Sequence, residues 1–100
     1  MIHVVILTYK APLSVIEAHV VAHRAYLDAH YEKGNFLVSG PQEPRTGGVI
    51  LAKGITKDAL IQVMESDPFI LHGLSDYEIT SFSPNKAHFS LKTSFMDYAD

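Results

Sequence analysis

The sequence predicts an α+β fold, a β-α-β-β-α-β chain of the ferredoxin-like, split-βαβ kind with a four-stranded antiparallel sheet and two helices on one face. Three observations predict it. A β-branched apolar run opens the chain at residues 2–9, and a long helix-period stretch follows at residues 14–34. The order then repeats in shorter form, with strand runs at 35–39 and 47–52, a helix at 57–65 and a last strand at 77–82. One hundred residues of 47% apolar content suffice for one domain with a sizeable core.

Taken in order, the first run is apolar on both faces, the pattern of a strand covered on both sides, and belongs centrally in the sheet. The first helix is announced by Pro12 and by Ser14 with Glu17, which have the spacing of a capping box, and it ends at Lys33 and Gly34. At ~20 residues it would run roughly 30 Å. At about 100° per residue, Glu17, Arg24, Asp28 and Glu32 share one side, while Ile16, Ala18, Ala22, Ala25, Tyr26, Leu27 and Ala29 spread over the other. His19, His23 and His30 project together between the alanines and the Ile16/Leu27 edge, toward the protein. An imidazole partly removed from water can be given a partner and used as a base; taken singly, each could equally be a hydrogen-bonded core residue.

The second strand runs into Gly40-Pro41, where a residue without an N–H should weaken pairing, and residues 42–46 form a loop with Pro44 and Arg45 near its tip. Gly47-Gly48 opens the third strand, so that the two form a hairpin. Thr56 is a fitting N-cap for the second helix, Asp58 suits its first turn, and Ala59, Leu60, Val63 and Met64 make an inward stripe. Asp67-Pro68 interrupts that helix and begins a short turn, and Gly73 releases the chain into the last strand, ended by Pro84. Two helices on one face leave the other face of the sheet bare, although the first strand is apolar there too. A second copy packed sheet to sheet would cover it, which predicts a homodimer. The tail 85–100, with Phe89, Leu91, Phe95, Met96 and Tyr98, is too apolar for a disordered end and is expected on the partner or across a sheet edge.

Composition removes several classes of function. Without cysteine there is no disulfide framework, thiol nucleophile or zinc–thiolate site, and a cytoplasmic location is the default expectation. The short apolar run after Met1 lacks a basic leader, and nothing approaches the ~20 apolar residues that span a bilayer. A net charge of −3 without Lys/Arg clusters argues against nucleic acid as a partner.

The series His23-Arg24-Ala25-Tyr26-Leu27, Gly34, Ser39-Gly40-Pro41, Gly47-Gly48 and Asp67-Pro68-Phe69 with Gly73-Leu74 resembles the motif series of the YCII-related (YciI-like) proteins over residues 1–84. Order and spacing carry the resemblance, not any single motif. It implies a dimeric α+β barrel of ferredoxin-like protomers, with residues 1–84 as the family domain and the tail outside the motif series. It also implies a pocket between helix layer and sheet, near a His/Asp pair that falls here on His23 and Asp67. Members of the family linked to an activity include a dehydrochlorinase-type lyase, and the fold resembles that of muconolactone isomerases.

The chemistry of those residues agrees with the implied activity. A carboxylate accepting the Nδ1 proton of an imidazole fixes its tautomer and leaves Nε2 to take a proton, so His23 would be the base and Asp67 its orienter. Backbone amides around Ser39-Gly40, where Pro41 breaks the ladder, could polarise a carbonyl, and Ser39 could add a hydroxyl. Arg45 could hold an anionic group, while Tyr26 and Phe69 would line the pocket. These parts need no cofactor and suit proton abstraction from a small organic acid or ring, followed by isomerisation or elimination.

Each residue also has a plainer role. In that plainer reading Asp67 is only the cap of the turn after it, Ser39-Gly40-Pro41 a strand end, and Arg45 a solvated loop residue. His19 and His23 have the i, i+4 spacing of a metal pair but lack the glutamate of H-E-x-x-H, so a metal is the weak alternative. At the level of function, the alternative to a cofactor-independent lyase or isomerase is a non-catalytic dimer that binds a small metabolite or a partner protein. A cofactorless oxygenase of the same barrel type would need an electron-rich substrate.

Overall fold

The apolar run at the start of the chain occupies the interior of the sheet. In the computed structural model, which describes residues 1–96, it forms β1 (Ile2–Tyr9), followed by α1 (Leu13–Ala18), α2 (Val20–Glu32), β2 (Phe36–Pro41) and β3 (Gly47–Lys53). Then come α3 (Lys57–Glu65), α4 (Pro68–Leu71), β4 (Ser75–Phe82), a 3-10 turn at Phe89–Leu91 and α5 (Lys92–Phe95). The four strands make one antiparallel sheet of order β2-β3-β1-β4, the ferredoxin-like arrangement.

Register sorts the strands' side chains into two faces. The row Ser39, Ile50, Val5 and Ile79 faces the helices, and the neighbouring row Val38, Leu51, Val4 and Thr80 faces away. On the helix side Val5, Leu7, Phe36, Ile50 and Ala52 form the core with Leu60 and Met64 of α3, each of the larger side chains contributing about 1.5–3 kcal/mol by burial. His3 is buried there too; Nε2 meets the Ile55 carbonyl at 2.8 Å and Nδ1 the Ser81 hydroxyl at 2.7 Å, which leaves no ring nitrogen for chemistry. Gly47 is required by packing, because a Cβ there would lie 1.7 Å from the Leu7 carbonyl oxygen.

The long first helix is two helices. The His19 amide bonds one residue short, to the Ile16 carbonyl at 3.0 Å, and the His19 ring takes the Val15 carbonyl that this frees, also at 3.0 Å. The expected capping box is absent as well: Pro12 is the N-cap, so Ser14 already lies inside α1 and no side chain caps it. The far end behaves as expected, with Gly34 at φ 82° and a Schellman pair of bonds from Gly34 to Tyr31 and from Asn35 to His30.

The helical-wheel sides also need correction. Ala18, Ala22, Ala25 and Ala29 are all exposed, as is Ala59 on α3, while Tyr26, Leu27, His30 and Tyr31 turn inward. A methyl group offers too little area to decide which way a helix faces; the large side chains decide it. The β2–β3 ladder runs through Pro41, which pairs with Gly48, because β2 is an edge strand whose missing donor leaves no partner stranded. In the tail Phe89 and Leu91 are exposed, and Tyr98 lies outside the described residues.

Candidate functional site

The break between α3 and α4 builds the site. Pro68 at the first position of α4 forces its predecessor into extended backbone, so Asp67 adopts φ −62°, ψ 128° and caps the helix, its Oδ1 accepting the Phe69 N–H at 2.9 Å. The same oxygen lies 2.9 Å from His23 Nδ1 on α2. Asp67 thus occupies both expected positions at once, turn cap and histidine neighbour. Its carboxylate is wholly buried, and Oδ2 has no hydrogen-bond partner among the described residues. The His23 ring lies flat on Phe69, centroids 4.0 Å apart and planes 10° from parallel, so two contacts fix it.

His23 opens onto a cavity of about 450 Å³ between α1, α2 and the β2–β3 end of the sheet, within the ordinary range of small-ligand sites. Ser39, Gly40, Pro41, Arg45 and Phe69 line it. The Ser39 hydroxyl is 2.6 Å from the Tyr31 hydroxyl, which anchors it to α2. Arg45 forms an ion pair with Glu17 across the cavity mouth; that bond and one to Tyr9 raise its pKa. Tyr26 is placed elsewhere. Its hydroxyl donates to the Val63 carbonyl at 2.9 Å, tying α2 to α3, and burial followed by the nearby Asp67 carboxylate pushes its pKa up.

The structure adds Val20, Leu27 and two residues of the charged side of the helical wheel, Arg24 and Glu17. Val20, His23, Arg24 and Leu27 all line the cavity, the i, i+3, i+4, i+7 face of α2, with Glu17 at the mouth. That face was legible in the spacing, but charged residues on it read as solvated. The three histidines part company. His19 packs against His72 with ring centroids 4.7 Å apart, whereas His30 is buried between Tyr26 and Phe36, where desolvation and then Lys33 lower its pKa. His19 and His23 therefore engage different partners, and among the described residues no group of three or more His, Cys, Asp or Glu is placed to hold a metal ion. No described helix is long and apolar enough to cross a membrane.

Fold and cavity together define a ferredoxin-like α+β protein with a ligand-sized hollow beneath its first helices. The YCII-related domain matches residues 1–83, and the chain belongs to that family. Among solved structures it is similar to 5-chloro-2-hydroxyhydroquinone dehydrochlorinase (TftG) from Burkholderia phenoliruptrix AC1100 in complex with 2,5-dihydroxybenzoquinone. The TM-score is 0.71 at 22% identity over 82% of this chain and 93% of the other, a likeness of fold. No curated protein matches the chain.

Proposed function

We propose that this protein is a cofactor-independent lyase or isomerase that removes a proton from a small organic acid or ring bound in the cavity. The observation that carries the proposal is the His23 Nδ1–Asp67 Oδ1 contact of 2.9 Å at the cavity wall, with Asp67 excluded from water. His23 Nε2, without a protein partner among the described residues, takes the proton from a carbon beside a carbonyl or from a ring position. The electron pair left behind moves onto the carbonyl oxygen. A Ser39 hydroxyl that accepts from Tyr31 keeps its own hydrogen to donate to that oxygen, and the Ser39-Gly40 backbone lies beside it. Collapse of the enolate either expels a leaving group from the adjacent carbon, an elimination, or takes the proton back from His23 at another carbon, an isomerisation. A dehydrochlorinase of the same fold supports the first outcome.

The working unit in this reading is a homodimer. Val4, Ile6, Val49 and Leu51 face away from the helices and are only partly buried, with Val38 and Phe82 half-exposed beside them. A second sheet would cover them, with the tail packed on the partner.

The test is enzyme-dependent C–H to C–D exchange in D2O, followed by proton NMR over chlorinated hydroxyhydroquinones, enolisable 2-oxo acids and unsaturated lactones. His23→Ala should slow exchange by about 10²–10⁴-fold, the usual share of a positioned base. Were no compound to exchange, or were His23→Ala to match the parent, the non-catalytic binding role would replace this one.

A further inference from the structure

The charge on the cavity wall bears on what the cavity holds. Beside His23, three acidic or basic side chains among the described residues line it: Glu17, Arg24 and Arg45. Glu17 and Arg45 are paired with each other, and Arg45 also bonds Tyr9. Arg24 has no ion pair or hydrogen bond among the described residues, even though Asp28 lies one helical turn further on. Around these groups the wall is apolar, from Leu7, Val20, Leu27, Ile50 and Phe69. A guanidinium presents a planar pair of donors that matches a carboxylate or an enolate–hydroxyl edge, and at the exposed Arg24 its attraction is strongest at low salt.

We propose that the cavity selects an organic monoanion of ring size, its charged group held by the fork of Arg24 one residue from the base, while Glu17 keeps Arg45 from binding a second anionic group. The assignment rests on the proton-abstraction reading for the same cavity and names the substrate class within it. Arg24 sets a preference for one negative charge. Glu17 sets the limit at one, because a dianion must compete with the Glu17 carboxylate for Arg45.

The experiment is an amide NMR titration at low salt with benzoate, its neutral isostere benzamide and the dianion phthalate. Benzoate should shift the amides of residues 20–27 and bind at least tenfold more tightly than benzamide. Arg24→Gln should bring the two to equal affinity, and Arg24→Lys, which keeps the charge without the fork, should fall between. Because Arg24 is exposed, neither replacement removes core packing. Glu17→Gln should raise phthalate affinity to that of benzoate or above. Equal binding of benzoate and benzamide by the parent, or an unchanged preference in Arg24→Gln, overturns the assignment. Failure here is distinct from failure of the base: a protein that exchanges substrate protons yet treats benzoate and benzamide alike keeps His23 as base and loses the anion site. Asp67→Asn separates them from the other side, since it alters the histidine's neighbour and should leave benzoate affinity in place.

Discussion

A thermodynamic cycle of His23→Ala, Asp67→Ala and the double variant isolates the contact on which the proposed chemistry depends. Asp67→Ala removes two things together, the capping bond to the Phe69 N–H and the contact with His23 Nδ1, both at 2.9 Å. Loss of the cap costs about 1 kcal/mol, and loss of a hydrogen bond to a charged acceptor about 1.5–3 kcal/mol. Part of this is offset because the substitution also removes Oδ2, a buried oxygen without a partner. His23→Ala removes the stack on Phe69 at 4.0 Å as well as the Asp67 contact. The cycle subtracts the cap and the stack, each lost with one partner only, and retains what the two side chains do for each other. With side chains 16% and 0% exposed, solvent screens the pair little, so a coupling energy of about 2 kcal/mol is expected. Urea unfolding of the four proteins reads it, provided the m-value is constant. A coupling below about 0.5 kcal/mol, the level of ordinary non-additivity, would refute the reasoning and leave Asp67 as a helix cap alone.

Burial lowers the His30 pKa, so its neutral form is the one the fold favours; stability from this source is complete above the ordinary value of 6.5 and is lost as pH falls through the folded value. His30→Phe keeps the ring between Tyr26 and Phe36 and removes a buried nitrogen with no partner among the described residues, so thermal unfolding should show a higher Tm than the parent's and a smaller fall between about pH 7 and 5; an equal fall in both would exclude His30 as a source of acid sensitivity. The apolar row of the sheet that faces away from the helices predicts that the parent sediments as a dimer and that Leu51→Lys, in the middle of that face, sediments as a monomer with an unchanged circular dichroism spectrum. A monomeric parent at micromolar concentration would sink the dimer.

Much of the fold was legible because backbone chemistry is local. The β-branched run of β1, Thr56 at the start of α3, Pro68 after Asp67 and Gly34 at φ 82° each act through their own dihedrals and nearest neighbours, so a sequence pattern suffices to place them. The register of β1 between β3 and β4 then follows from apolar runs of matching length. The kink at His19 was not legible. It turns on one carbonyl, that of Val15, exchanging a backbone donor for a ring nitrogen four residues on, and no composition signal marks that exchange.

By itself the sequence determined the order of elements, the central place of β1 and the candidates His23, Asp67, Ser39, Gly40, Pro41 and Arg45. Tertiary structure alone decided which of them meet. Asp67 is 44 residues from His23, and their separation of 2.9 Å depends on how α4 docks against α2. The same docking decided that Tyr26 bonds Val63 away from the cavity, and that Arg24 enters a wall the periodicity had given to water. The physical reason is that helix period fixes only the angles between side chains on one helix. Which sector faces the protein is set by the bulk of Tyr26, Leu27 and Tyr31 against the sheet, and alanines and charged residues then take whatever positions remain.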